Sequence, residues 1–185
     1  MRAEDYYPGF KGGSLTWEAS NIAGQLGLTS IGNIFYVDPG VSASGGGKAV
    51  NDAYKTVAEA YAAAAADNDD VIVIAGTSAT GRTAETDNIT WAKRRLHMMG
   101  NSVGRSMNPR NGLGTASSLT GETTTAIFTV TGNNCIFSNM SFATFQDNNI
   151  LVDVQADYLT FVNVHFQGIG HADAGDDTAA RSLLI

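Results

Sequence analysis

Cysteine and proline are both scarce in this sequence, which has one cysteine, Cys135, and three prolines among 185 residues. A single cysteine excludes an intrachain disulfide and the zinc sites that are built from several thiolates. The prolines stand beside 21 glycines, and this combination suits tight turns between short strands because glycine adopts backbone conformations closed to other residues. We expect Cys135 to be a small buried apolar side chain.

Positive charge and long apolar runs are scarce as well. The 11 lysines and arginines face 18 acidic residues, which leaves a net charge of −7, and such a surface argues against non-specific binding to nucleic acid. No apolar run reaches the length that spans a bilayer, and the first residues lack the apolar segment of a signal peptide. We therefore expect neither a nucleic-acid partner nor a membrane partner. Apolar residues still make up 43% of the chain, enough for one core.

An internal repeat is the strongest pattern in the sequence. Residues 126–142 and 150–166 superimpose at an offset of 24 residues. Repeats of roughly 20 to 50 residues built from short strands are typical of solenoids, in which equivalent residues of successive coils stack about 4.8 Å apart. We therefore predict a structural ladder from the equivalent pairs, namely Phe137 with Phe161, Asn139 with Asn163, and Phe142 with Phe166.

Residues 1–32 lie outside the repeat and read as an irregular, glycine-rich N-terminal arm. Residues 17–26 have the composition of a short helix, although Gly24 weakens that pattern. The many apolar side chains argue against an arm that is fully exposed to solvent. We therefore expect the arm to pack either on its own domain or on a partner. The candidate docking residues of the arm are Tyr6, Tyr7, Phe10, Leu15, Trp17 and Leu26.

The next stretch alternates strand and helix patterns. A β-branched and aromatic run at residues 34–37 ends in Asp38-Pro39-Gly40, which is a turn signal. Apolar residues at helical spacing follow over residues 51–66, with Asn51 or Asp52 as the expected N-cap. The continuous apolar run after Asp70 predicts a strand buried on both faces. Residues 88–91 and 95–100 predict two further short strands.

Two charged segments accompany these elements. We interpret the carboxylate-rich residues 67–70 as a solvated turn that ends the helix, in preference to a metal site. Residues 93–95, Lys-Arg-Arg, form the densest basic cluster of the chain. It is either a solvated corner or a docking point for an acidic partner.

Four motifs of the segment 34–100 belong together: Tyr36-Val-Asp-Pro, Lys55-Thr-Val-Ala-Glu-Ala, Asp70-Val-Ile-Val-Ile-Ala-Gly and Leu96-His-Met-Met-Gly. In this order they resemble the N-terminal part of right-handed parallel β-helix proteins of the pectate-lyase-like superfamily. The resemblance implies a mainly β solenoid over residues 33–185, with a capping helix near residues 52–66 across its open end. With the repeat it covers about residues 34–166, and it is specific for the fold and not for an activity.

The expected function follows from a second resemblance. An aromatic arm before a β-helix, without a signal peptide, resembles virion components of tailed bacteriophages. That implies a structural protein made in the host cytoplasm, a tail spike or fibre or a capsid-decorating spike. It would be a homotrimer, attached to other virion proteins through residues 1–32, and it would project its β-helix towards the host surface and a glycan there. Residues 182–185 match the opening of the previous coil, so we expect the N-terminal part of a longer solenoid.

Two other functions stay open. The first is a polysaccharide lyase or glycoside hydrolase whose catalytic coils lie beyond Ile185, and the second is a bacterial surface adhesin. The coils offer four candidate side chains, each in only one copy, and these make no carboxylate pair, so no catalytic residue is assigned. They are Asp147, Asp153, Asp157 and His165. The most metal-like cluster has the oxygen ligands that calcium prefers but fits no complete motif, so no cofactor is expected. Its members are His171, Asp173, Asp176 and Asp177.

Overall fold

The computed structural model describes residues 10–11, 14–15, 19–74, 83–100, 112–114, 122–123, 126–143, 147–148, 150–166 and 181–184. Over this part the protein is mainly β, with parallel strands and few helices. The helices are α1 (Ala19–Leu26), α2 (Val57–Ala63) and a short 3₁₀ helix (Val50–Asp52). The strands are β1 (Phe10–Lys11), β2 (Ser14–Leu15), β3 (Ile34–Val37), β4 (Asp70–Ile74), β5 (Ile89–Trp91), β6 (Leu96–Gly100), β7 (Gly112–Gly114), β8 (Glu122–Thr123), β9 (Phe128–Val130), β10 (Ile136–Ala143), β11 (Asp147–Asn148), β12 (Ile150–Val154), β13 (Thr160–Phe166) and β14 (Arg181–Leu184).

Two parallel sheets make up most of the described fold. The larger sheet has the strand order β13-β10-β6-β4-β3, and β7 also pairs with β10. The smaller sheet has the order β14-β12-β9-β5. Two further pairs stand apart, parallel β8 with β11 and antiparallel β1 with β2.

The strand register equals the sequence repeat. In the larger sheet Phe137 pairs with Phe161, and in the smaller sheet Phe128 pairs with Val152. Both pairs are 24 residues apart, so the offset found in the sequence is the register in both sheets. Because a slip of one residue would turn every core side chain to the opposite face, the apolar pattern fixes this register strongly.

The chain alternates between the two sheets. Between β4 and β6, between β6 and β10, and between β10 and β13 of the larger sheet it forms β5, β9 and β12 of the smaller sheet, but between β3 and β4 it forms α2. The helix therefore takes the place along the chain that a strand of the smaller sheet takes later. An alanine-rich helix suits this place because small side chains let it approach the strands closely.

The helix α2 begins later than the sequence pattern suggested. Asn51 and Asp52 lie in the 3₁₀ helix, and α2 begins at Val57 with Thr56 as its N-cap. The amide of Glu59 donates to the Thr56 hydroxyl at 3.3 Å, and the amide of Thr56 donates to the Glu59 carboxylate at 3.1 Å. This reciprocal capping box satisfies two donors at once, so the expected cap at Asn51 or Asp52 was wrong.

The main core lies between the two sheets and α2. Its centre is aromatic: the rings of Trp91 and Phe128 are 5.5 Å apart, and those of Phe128 and Phe137 are 5.6 Å apart at 90°. The indole of Trp91 is fully buried and donates to the Leu96 carbonyl at 3.1 Å. Cys135 is buried in the same cluster, as expected from the sequence.

A second apolar cluster lies on the outer face of the larger sheet. There Ile22 and Leu26 of α1 pack against Val71, Val73 and Met99. Ile22 is fully buried and Leu26 is 7% exposed. Burial of each such side chain contributes about 1.5–3 kcal/mol, so α1 is held to the sheet by several kcal/mol.

Candidate functional site

The predicted docking residues of the arm fall into three groups. Tyr6, Tyr7 and Trp17 lie outside the described residues. Phe10 and Leu15 are partners in the short antiparallel pair of β1 and β2. Leu26 is buried against the sheet by α1, as part of the second apolar cluster. Helix α1 therefore packs on its own domain, and a docking role for the other named residues stays a prediction.

The six ladder residues meet in pairs. The side-chain amide of Asn163 donates to the amide oxygen of Asn139 at 2.9 Å. The rings of Phe137 and Phe161 stack at 5.1 Å and 19°, and those of Phe142 and Phe166 at 5.6 Å and 9°. These contacts hold β13 on β10 through side chains as well as through the backbone.

Both ladder asparagines also bend their strands. Asn139 has φ 52° and Asn163 has φ 51°, a left-handed conformation that asparagine tolerates better than most residues because its short polar side chain bonds locally. The pair therefore combines a left-handed backbone with a bond between the neighbouring strands β10 and β13. A structural role accounts for both observations.

The metal-like cluster of His171, Asp173, Asp176 and Asp177 lies outside the described residues. Within the described residues no group of three or more histidine, cysteine or acidic side chains is placed to hold a metal ion. The same part of the chain contains no helix with the length and apolarity to cross a membrane.

One polar turn recurs before four strands of the larger sheet. Asp69, Arg95, Asn134 and Tyr158 precede β4, β6, β10 and β13, and the strand registers place them one beside the next. All four have a left-handed backbone, with φ of 51°, 51°, 59° and 56°. We call these four residues the turn column. Such backbones are uncommon outside glycine, so their recurrence marks one repeated turn.

Opposite charges meet within this turn. Arg94 bonds the Asp67 carboxylate at 2.9 Å, and Arg95 forms an ion pair with Asp69. The Arg95 hydrogen bond is the main reason that the pKa of Asp69 lies below its ordinary value, and a hydrogen bond from His97 adds to it. The charges of Arg94 and Arg95 are therefore paired with carboxylates of the same domain.

The third basic residue, Lys93, closes the end of α2. Its ammonium donates to the Ala64 carbonyl at 2.7 Å and to the Ala62 carbonyl at 3.3 Å. It also lies over the Tyr61 ring, 4.5 Å from the centroid. A cation at a helix C-terminus is favourable because the last carbonyls are unpaired and negative. All three side chains of the basic cluster thus bond to other groups of the same domain.

The interpretation of residues 67–70 as a solvated turn was wrong for Asp70. Its side chain is fully buried and accepts from the Asn33 amide at 2.6 Å, the Asn68 side chain at 2.7 Å and the Ala65 amide at 2.8 Å. The sequence pattern could not reveal this, because Asn33 lies 37 residues away. One carboxylate thus joins the segment before β3 to the end of α2.

Glu85 is a second buried acid that the sequence did not single out. It is 2% exposed and accepts from the amides of Val57 at 2.8 Å and Ala58 at 3.2 Å. These are the first two donors of α2, which the capping box leaves unpaired. Burial raises the pKa of Glu85, while the hydrogen bonds from Val57, Thr83 and Ala58 act in the opposite direction.

His97 and Asp69 are arranged like a catalytic dyad but are not free to act as one. The Nε2 atom of His97 is 3.3 Å from the Asp69 carboxylate, and its Nδ1 atom accepts from the Ile136 amide at 3.2 Å. Both ring nitrogens are occupied and the side chain is 1% exposed. A general base needs one nitrogen within reach of a substrate proton, so this dyad is structural.

Large apolar side chains become exposed at the β13 end of the larger sheet. Tyr158 is 81% exposed and Val162 is 49% exposed. The inward residues of β13, including Phe161 and Phe166, are only partly buried. Among the described residues this is where aromatic surface is most accessible to a partner.

Comparisons with known proteins give no relative for this chain: no family model, no curated protein and no solved structure matches it.

Proposed function

We propose that this chain is a structural virion protein of a tailed bacteriophage, a tail spike or fibre or a capsid-decorating spike. The observation that carries the proposal is the common register of 24 residues in both parallel sheets. Stacking of equivalent segments produces a quasi-one-dimensional body in which each coil contacts its neighbours. Such a body suits a rigid spacer between a particle and a host surface.

The proposal includes a finer fold, a right-handed parallel β-helix. The two parallel sheets would be two faces of its coils, with the aromatic core enclosed between them. Right-handedness rests on the general rule that crossovers between parallel strands are right-handed in about 98% of cases. The helix α2 would be the cap, since Val57, Ala60 and Ala64 pack on the core at the β3 end.

The bonding of carboxylates within the described residues supports a mechanical role. Asp69, Asp70 and Glu85 are each engaged by donors from distant parts of the chain. These contacts tie turns and helix ends to neighbouring coils and so resist deformation. An enzyme of this fold would instead need carboxylates directed at a substrate.

Attachment through the N-terminal arm fits the packing of α1. Because α1 is buried on the outer face of the larger sheet, a load on the residues before it would pass directly to the sheet. In the proposed homotrimer, the exposed aromatic surface at the β13 end would face a neighbouring subunit or a host-surface glycan.

Two measurements test this function. Immunogold labelling with an antibody against the chain should mark the tail or the capsid surface of phage particles from its source, and size exclusion with light scattering should give a trimer. Unlabelled particles would refute the virion assignment. Because the lyase or hydrolase alternative places its catalytic coils beyond Ile185, cleavage of a host polysaccharide by the protein as it occurs in its source would favour that alternative.

The structure sharpens the test of the arm. Deletion of residues 1–18 leaves α1 in place, whereas deletion of residues 1–32 also removes part of the second apolar cluster. We expect the shorter deletion to abolish incorporation into particles with an unchanged melting temperature. Normal incorporation of that variant would show that the anchor lies elsewhere.

A further inference from the structure

The protonation state of His97 determines whether its ring can accept a hydrogen bond from the backbone. It lies on β6, in the middle of the larger sheet, and its Nδ1 atom accepts from the amide of Ile136, the first residue of β10. A backbone amide can only donate, so Nδ1 carries no proton. The proton of the neutral ring is therefore on Nε2, where it is donated to Asp69.

Along the order β13-β10-β6-β4-β3 of the larger sheet, the strands β6 and β10 are joined by the fewest residue pairs. Two residue pairs join these strands, Phe137 with Met98 and Ser138 with Met99. Five pairs join β4 to β6, and six join β10 to β13. The bond from Ile136 to His97 extends this short joint at the start of β10.

We propose that His97 is a pH-sensitive latch that holds the start of β10 on β6 and releases it in acid. A proton on Nδ1 would point at the Ile136 amide, so two donors would face each other and the amide would lose its acceptor. An unpaired backbone donor away from water is costly. The bond to Asp69 survives protonation, so the change is confined to the β10 side.

Two charged side chains of the described residues act on the ring. Asp69 faces it from the turn before β4, and Arg95 approaches from the turn before β6. Helix α1, which covers the same face of the sheet, carries no ionisable side chain. On β10 the facing group is the Ile136 amide. Burial lowers the pKa of His97, and the Asp69 hydrogen bond offsets part of that change.

The direction of the effect follows from the lowered pKa. Above a pH of about 6.5, the ordinary value for histidine, the ring is neutral in both the latched and the released form. As the pH falls below that value the released form binds the proton first, so release becomes easier. The protection of the Ile136 amide should then fall by up to about tenfold per pH unit until the latched form is protonated too.

Nuclear magnetic resonance of the whole chain tests the latch. Ring nitrogen shifts report the protonation of His97, and amide exchange, corrected for its intrinsic pH dependence, reports the protection of Ile136. As the pH falls from 7.5 to 4.5 we expect the protection of Ile136 to fall first, from about pH 6.5, and to level off where the ring shifts report protonation of the latched form, while the Ile72 amide in β4 stays protected. Protection of Ile136 that stays constant from pH 7.5 down to the pH at which the His97 ring is protonated, or down to unfolding of the whole chain, would overturn the proposal.

Two variants separate the latch from other histidines. His97→Asn places an amide oxygen near the Nδ1 position, so it keeps an acceptor that does not titrate. It should retain the Ile136 protection and lose its pH dependence. His165→Asn, at an exposed position of β13, is the matched control and should leave the pH dependence intact. If His97→Asn does not fold, the wild-type titration still decides.

Discussion

Replacement of Asp70 by asparagine should be among the most destabilising conservative changes in the chain. The variant keeps the volume and can keep one oxygen on the Asn33 amide and the Asn68 side chain, at 2.6 and 2.7 Å. Its amide nitrogen then faces the Ala65 amide, which donates to the carboxylate at 2.8 Å. Loss of one charge-assisted bond and an unsatisfied buried donor together cost about 2–4 kcal/mol.

Urea unfolding followed by tryptophan fluorescence measures this cost, because Trp91 is fully buried in the core. Asp67→Asn is the matched control, since Asp67 and Arg94 are both substantially exposed and such a pair contributes about 0–1 kcal/mol. If Asp70→Asn loses no more stability than Asp67→Asn, then Asp70 does not join the β3 segment to α2 as argued.

Three further changes have definite expected outcomes. Glu85→Gln should make the urea midpoint less dependent on pH, because glutamine does not titrate. Since the pKa of Glu85 is raised from its ordinary value of 4.5, the contribution of Glu85 to wild-type stability is fully present below that pH and is lost as the pH rises through the folded pKa. Asn139→Ala should cost about 1–3 kcal/mol, since it loses the Asn163 bond and strains the backbone at φ 52°, whereas Asn139→Gly should cost less in backbone strain; equal losses would contradict the strain. Lys93→Met should cost about 1 kcal/mol by uncapping α2, and an unchanged midpoint would show that the cap contributes nothing.

The repeat and the register could be predicted from the sequence because both depend on local periodicity. Each strand alternates its side chains between two faces, and equivalent residues recur after a constant offset. Phe137 and Phe161, or Asn139 and Asn163, can therefore be paired by alignment alone. The bounds of β3 likewise follow from an apolar run that ends in a turn signal.

The buried polar residues could not be predicted in the same way. Asp70, Glu85 and His97 bond groups that lie 37, 28 and 39 residues away. Whether a carboxylate in a turn is solvated or buried depends on which donors the fold brings to it, and no local pattern carries that information. The capping box at Thr56 and Glu59 is different, because a threonine followed three residues later by a glutamate is itself a local sequence signal for the start of a helix.

The turn column explains why the same kind of turn can be stacked repeatedly. Neighbouring parallel strands bring equivalent side chains within about 5 Å, so a column of like charges would repel. The column instead places Arg95 beside Asp69, as an ion pair, and then continues with uncharged Asn134 and Tyr158. Charge is thus neutralised at the β3 end, and the exposed aromatic Tyr158 stands at the β13 end. The two ends of the larger sheet therefore differ in chemistry, and the β13 end is the one where substitution of Tyr158 by serine should weaken association of copies without affecting folding. Light scattering and thermal melting of that variant would separate the two effects, and unchanged association would remove Tyr158 from the proposed contact.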